Sequence, residues 1–503
     1  MNDGAAVGVT DDLFRGEPAF ERRGYMLDVS RDRVPTRATI AWLLDLLAQL
    51  RFNELQLYIE HTFTYTGHDE VWRDASPFAH DDLAWIGARA AERGIELVAN
   101  MNGFGHMERW LAHESYRDRA ECPDGAPALF GDGVTPPTCL EPTADNARLA
   151  VELAREMVAA VGGSRIHVGG DEPFELGDCR SAARAAEVGR DRVYLDHLLR
   201  IVEPLIADGN EVLFWADFFR RDPASMGRIP HGARGVVWNY EAPSETSWLA
   251  FLPPELTARL GLPDDAHRGF AAHCRQFVQT GTPFWVSPGT ATWNTILGRN
   301  HNAAANVVDA AVIGARHGAE GYLLTDWGDN GHWQPLVVSL PSMVRAAVAA
   351  WSGGGAAFEV GPVIDELLEA IHGTGDLIDQ LGGLGESLGA ITPNASPIFT
   401  ALVDTGIPDL GPPDPDRVAA AGTVLADATA LFAEQPFGGD RAEVLAAEML
   451  AACGLARLGL RRLAGDPPGE RDVDVALAAQ RDAWLGSSRP GGLDDSLGRL
   501  RRD

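Results

Sequence analysis

Two acids stand side by side in "RIHVGGDEPFELG" (165–177). Ile166 and Val168 alternate with polar neighbours, which predicts a short strand. Gly169 and Gly170 end that strand with permissive backbone. Asp171 and Glu172 then sit at its C-terminal end, where α/β proteins commonly mount catalytic groups. Adjacent carboxylates repel. The pair is therefore expected to split, one acid holding its proton near neutral pH as a general acid must. A surface turn that tolerates charge is the structural alternative.

A pair of this kind needs a frame. Strand-like runs occur at 25–30, 54–60, 95–102, 165–170, 211–218, 235–241, 283–289 and 321–327. Helical spacing lies between them, at 37–51, 81–94, 144–163, 191–209, 266–280, 302–317 and 341–351. The alternation predicts parallel strands joined by right-handed crossovers. Eight such units predict the α/β class and a (β/α)8 TIM barrel. A doubly wound open sheet is the rival, but the Gly-rich phosphate loop it would carry after the first strand is missing from "YMLDVSRDRVP". Beyond "SGGGAAFEVGP" (352–362) the texture changes to helices near 363–371, 377–389, 415–434, 440–464 and 472–484. The expected layout is an N-terminal extension over 1–20, a catalytic barrel over 21–355 and a helical C-terminal region over 356–503.

The 503 residues are 45% hydrophobic and 23% charged, ordinary for a globular protein. A net charge of −30 argues against nucleic acid, which needs clustered Lys and Arg. The five cysteines are scattered and odd in number, with no CxxC spacing. That fits a reducing compartment and no structural zinc. The first residues lack the apolar core of a signal peptide. No run approaches the ~18 apolar residues of a membrane span. A cytoplasmic protein with no membrane partner is expected, and a homodimer through the C-terminal helices is open.

In a barrel the strand ends share one face. They would bring together Asp28 and Arg31, Glu60 and His61, Asn100, Asn102 and His106, then His167, Asp171 and Glu172. The later strands add Trp215 and Asp217, Trp238, Asn239 and Tyr240, Trp293 and Asn294, and Trp327, Asp329 and Asn330. Singly, a Trp here is core and a His is structural. Together, Trp beside Asp or Asn on four successive strand ends makes a pocket with aromatic walls and fixed polar groups. That suits a sugar, with its apolar ring faces and hydroxyl rim. The HxE at His106 has no PCxxC after it, and HExxH and Walker patterns are absent. His61, His106, His167 and Asp171 lack a ligand spacing, so neither metal nor cofactor is expected.

These residues resemble glycoside hydrolase family 20, the β-N-acetylhexosaminidases. "HVGGDE" (167–172) looks like its H-x-G-G-D-E signature. "RGYMLDVSR" (23–31), "NGFGH" (102–106) and "WGD" (327–329) agree in order. The resemblance covers about 20–350 and implies a retaining, substrate-assisted mechanism, an exception to the two-carboxylate scheme. It implies Glu172 as general acid/base and Asp171 as the group that orients the 2-acetamido arm and stabilises the oxazolinium. It implies that His167 and His106 support the pair, that Arg23 binds outer hydroxyls and that Asp329 works at the O4/O6 edge. Trp215, Trp238 and Trp327 would wall the acetamido pocket. The departures are Glu60-His61 where the family has Asp-Asp, Asp329 where it has Glu, and no Tyr in "SPGTATWN" (287–294). Trp293, Asn294 or Tyr240 would replace that Tyr as donor to the acetamido oxygen. The implied partner is a small glycan or glycoconjugate ending in GlcNAc or GalNAc. Two alternatives remain: a glycosidase of other specificity pairing Glu172 with Glu60 or Asp329, and a non-catalytic sugar-binding barrel.

Overall fold

A computed structural model describes residues 12–31, 33–127, 133–220, 223–407 and 409–500. Eight parallel strands close into a barrel: β1 Arg22–Asp28, β2 Glu54–Tyr58, β3 Glu96–Asn100, β4 Arg165–His167, β5 Glu211–Trp215, β6 Ala233–Trp238, β7 Phe284–Ser287 and β8 Gly321–Asp326. β1 pairs with both β2 and β8, so no edge is left open. The fold is the (β/α)8 barrel that the sequence alternation predicts.

The main outer helices of the barrel are α1 Arg37–Gln49, α2 His80–Ala91, α3 Ala144–Val161, α4 Arg190–Ala207, α5 Arg275–Thr280, α6 Asn300–His317 and α7 Leu336–Ser352. Their limits follow from local chemistry. The Thr36 hydroxyl accepts the Thr39 N–H at the start of α1, and Ile40, Leu43, Leu44 and Leu47 form its buried stripe. Thr143 caps α3 in the same way, and Gly162 ends it in the left-handed region at φ 78°. The helical spacing over 266–280 yields three short pieces instead, because Gly269 takes φ 68° between Ala266–Arg268 and Phe270–His273.

The two ends of the barrel are closed differently. At the N-terminal end Arg165 gathers carboxylates from β2, β3 and β5, Glu54 at 2.7 Å, Glu96 at 3.2 Å and Glu211 at 3.4 Å. Inside, Met26, Tyr58, Leu213, Val236, Trp285 and Leu323 fill the barrel up to Trp215 and Trp327. The C-terminal end opens to the loops.

After α7 come α8 Val360–Leu367, α9 Thr374–Gly382, α10 Pro415–Ala433, α11 Ala442–Leu463, α12 Glu470–Ser487 and α13 Leu493–Gly498. The run expected at 377–389 is cut at Gly382 and Gly383, and six-residue α13 is too short for periodicity to reveal. These helices share one apolar core with the barrel helices. Arg33, on the loop after β1, donates to the carbonyls of His332 and Gln334 and lies 3.4 Å from Glu448 of α11. Of the expected extension over 1–20, residues 1–11 lie outside the described residues.

The cysteines need a correction. Cys122 and Cys179 form a disulfide across 57 residues of chain, with Cα atoms 5.3 Å apart. The bond joins the loop after β3 to the loop after β4. Spacing could not reveal it, since the two meet only where loops converge on one barrel face. Cys139, Cys274 and Cys453 are free and buried.

Glu448 tests the coupling of the two regions. Glu448→Ala would leave the Arg33 guanidinium buried without its counter-charge, which costs about 3–5 kcal/mol. Denaturant unfolding should show that loss in one shared transition. Two separate transitions, one unchanged, would mean that the helices fold apart from the barrel.

Candidate active site

The acid pair sits where β4 runs out. Gly169 at φ 69° and Gly170 at φ 89° turn the chain, and Glu172 itself takes φ 49°. A left-handed Glu is strained and needs holding. Asn102, beyond β3, supplies much of that hold. Its side-chain amide donates to Asp171 Oδ1 at 2.6 Å, and its Oδ1 accepts the Gly170 N–H at 3.3 Å. Asp217, beyond β5, supplies the rest, with Oδ2 accepting the Glu172 N–H at 2.9 Å and Oδ1 accepting the Trp238 indole N–H at 2.6 Å. The second glycine of "NGFGH" has a steric reason: a Cβ on Gly105 would collide with the Asp171 carbonyl oxygen.

His106 bridges the pair. Its Nε2 is 3.2 Å from Asp171 Oδ2 and 3.5 Å from Glu172 Oε2. Burial alone would strip its charge, but Asp171, Glu172 and Glu60 outweigh burial and raise its pKa well above the usual value. Asp171 responds in kind. Burial would raise its pKa, but the His106 cation and the hydrogen bonds from His106 and Asn102 hold it below the usual range. Asp171 is therefore held ionised.

A cavity of about 150 Å³ opens above the pair. Trp215, Trp238, Tyr240, Trp293 and Trp327 wall it, and Arg31, His106 and Asp329 also line it. Tyr240 stacks on Trp238 at 5.1 Å and meets Trp293 edge-on at 5.1 Å. Glu60 lines a second, outer cavity of about 320 Å³ that shares Arg31, His106, Glu172 and Asp329 with the first.

Four expected residues stand elsewhere. Arg23 lies at the start of β1, at the wrong end of the barrel. Its guanidinium donates to the carbonyls of Phe20, Glu21 and Arg51 and packs 5.0 Å from the Trp351 ring. The motif on β1 carries an Arg at each end, and at about 3.3 Å per residue only the second reaches the site. That residue is Arg31, which pairs with Asp28 at 3.1 Å, Glu60 at 3.0 Å and Asp329 at 3.5 Å. His167 lies beneath the site. Its ring packs 4.3 Å from Trp215 and its Nδ1 accepts the Gly169 N–H, so it braces the turn and not the acids. Burial pushes its pKa down to about 3, so it stays neutral. His61 is buried and lines neither cavity. Asn294 sits behind the rim, accepting from Asn330 at 3.0 Å.

Asn394, between α9 and α10, also lines the inner cavity. No periodicity or motif marks it. Only the return of the C-terminal chain to the barrel mouth places it there. Asp217 is legible as a polar strand-end group but not as a holder of the site, and Tyr58, inside the apolar run of β2, carries no such signal. The Tyr58 hydroxyl donates to Glu60 at 2.9 Å.

Two buried carboxylates here resist ionisation. Burial, against the pull of Arg31, lifts Glu60 to about 8. Burial, against Arg220 and with Asp171 and Glu172 close by, lifts Asp217 to about 6. A folded-state pKa above the unfolded one favours folding below the unfolded value, and that stability is lost as pH rises through the folded one. For Asp217 the window runs from the ordinary 3.8 to about 6. Asp217→Asn cannot ionise and cannot accept both hydrogen bonds. It should melt lower than the parent at pH 4, yet lose less melting temperature between pH 4 and pH 7. Equal slopes would show that Asp217 carries no raised pKa.

Residues 20–247 match the catalytic domain of glycosyl hydrolase family 20. The human protein named hexosaminidase D is 23% identical over 347 residues, covering 66% of this chain and 65% of its own length. The bovine hexosaminidase D is 24% identical over 228 residues, covering 43% of this chain and 63% of its own length. The chain thus spans a little under two thirds of either relative. In fold it is similar to the Flavobacterium johnsoniae chitobiase, with a TM-score of 0.50 at 13% identity over 95% of this chain and 78% of that one. With the signature residues gathered at one barrel mouth, residues 20–247 are similar to the catalytic domain of glycosyl hydrolase family 20.

Proposed function

We propose that the protein is an exo-acting, retaining β-N-acetylhexosaminidase that removes terminal β-linked GlcNAc or GalNAc by substrate-assisted catalysis. One observation carries this reading: Asp171 and Glu172 face a tryptophan-walled cavity together, with the His106 imidazole within 3.5 Å of both. The family match and the two relatives named hexosaminidase D support it.

The chemistry follows from that placement. Glu172 gives its proton to the glycosidic oxygen as the bond from that oxygen to the anomeric carbon breaks. The carbonyl oxygen of the substrate's own 2-acetamido group attacks the anomeric carbon from the opposite face. The resulting oxazolinium is positive, and the ionised Asp171 stands by to stabilise it. Glu172 then takes a proton from water, whose oxygen attacks the anomeric carbon, reopens the oxazolinium ring and returns the original configuration. The indole walls keep bulk water out and hold the acetamido methyl. Arg31 and Asp329 supply a donor and an acceptor to the outer hydroxyls, the role that the motif alone would assign to Arg23. Tyr240 and Trp293 are the polar-tipped aromatics placed to meet the acetamido oxygen.

The test is chromophore release from p-nitrophenyl β-GlcNAc, β-GalNAc and β-glucoside. Cleavage of an acetamido sugar without cleavage of the glucoside is expected, and equal cleavage of the glucoside would refute assistance by the substrate. Glu172→Gln should lower kcat by about 10²–10⁴ with KM near the parental value. Asp171→Asn should lower kcat on the acetamido sugar and weaken inhibition by a thiazoline mimic of the cyclised intermediate. Parental thiazoline inhibition in that variant would remove Asp171 from the oxazolinium.

A further inference from the structure

The outer cavity is not built by the barrel alone. Its volume, about 320 Å³, is roughly twice that of the inner one. Glu172 lies at the junction of the two. A general acid must touch the oxygen that joins the departing group to the terminal sugar. If the terminal sugar fills the inner cavity, the departing group leaves through the outer one.

The far wall of that outer cavity comes from the end of the chain. Asp495 of α13 and Arg499 just after it line the cavity together with Arg109 and Phe174 of the barrel loops. The wall is anchored. The Ser496 hydroxyl donates to the Gly331 carbonyl at 2.6 Å, two residues beyond Asp329. A Cβ on Gly331 would lie 3.1 Å from Ser496 Oγ and 3.3 Å from Arg499 Cδ, so the helix sits hard against the loop after β8. Arg109 reaches across from the loop after β3 and donates to Asp495 at 2.9 Å, and Arg499 donates to the same oxygen at 3.3 Å. Asp495 and Arg499 are both exposed within this wall.

We propose that Asp495 and Arg499 are specificity-determining residues of a leaving-group subsite, and that this subsite takes a second sugar ring. The inference rests on Glu172 acting as the acid, as argued above. The chemistry of the wall names the ligand. Carboxylates and guanidinium groups both line the cavity, which gives acceptors and donors to a ring of hydroxyls. Phe174 contributes a phenyl ring to it and offers a face for the apolar side of the sugar ring. A lipid or a bare aryl group would strip water from the charged groups without replacing its hydrogen bonds.

The experiment uses the full chain and reads a ratio. kcat/KM is measured for the p-nitrophenyl glycoside of the preferred N-acetylhexosamine, and for β1,3-, β1,4- and β1,6-linked disaccharides ending in that sugar. The ratio of the best disaccharide to the aryl glycoside should fall tenfold or more in Asp495→Ala and Arg499→Ala. Asp495→Asn keeps size and one acceptor oxygen and should fall less, which guards against loss through misfolding. An unchanged ratio, including an equal fall on both substrates, overturns the subsite and leaves α13 as packing. A parent enzyme that cleaves the aryl glycoside and none of the disaccharides overturns the second sugar while the proposed activity stands. A parent inert on every substrate takes down the proposed activity and this inference with it.

Discussion

A carboxyl group only 6% exposed, as Asp171 is, would ordinarily take up a proton. One imidazole decides otherwise. His106 sits 3.2 Å from it and is itself kept cationic by the acids around it. Each charge is the reason the other persists. The arrangement holds a fixed negative charge at the barrel mouth without a metal ligand spacing, and the surrounding loops are shaped to keep that ion pair in place. Gly105 has no side chain so that the His106 turn can press against the Asp171 backbone. Asn102 donates to the carboxylate from one side, and Asp217 holds the neighbouring Glu172 backbone from the other.

Crowding acids together raises a second problem, which cations and strain solve jointly. Asp28, Glu60 and Asp329 all lie within 3.5 Å of the Arg31 guanidinium. Burial would lower the pKa of Arg31, yet these three raise it well above its ordinary value, so the charge is permanent. Left-handed backbone at His106, Glu172 and Asn330, with φ of 52°, 49° and 57°, aims side chains that regular strand geometry would not. Such conformations persist only where neighbours over-determine them, and here hydrogen bonds from adjoining strand ends do so.

The C-terminal helices belong to the same problem. They share the apolar core of the barrel, and Glu448 gives a counter-charge to the buried Arg33 behind the β1 loop. Asn394 reaches the inner cavity and Asp495 with Arg499 reaches the outer one. A region whose composition marks it as accessory therefore contributes to both faces of the candidate site.

Local chemistry determined much of this protein from sequence. Eight strand patterns alternating with helical stripes specify a closed parallel barrel, because each element must bury one face against the next. The Asp171–Glu172 pair, the His106 turn and the tryptophans on the late strands were legible, because strand ends in such a barrel share one side. Tertiary structure decided what depends on distance through space. It placed Arg23 at the far end of β1 and Arg31 at the site, though both belong to one short motif. It moved His167 beneath the site, joined Cys122 to Cys179, and brought Asn394, Asp495 and Arg499 back to the mouth. Periodicity carries the direction a side chain faces along its own element. It carries nothing about which loop, hundreds of residues away, comes to lie opposite.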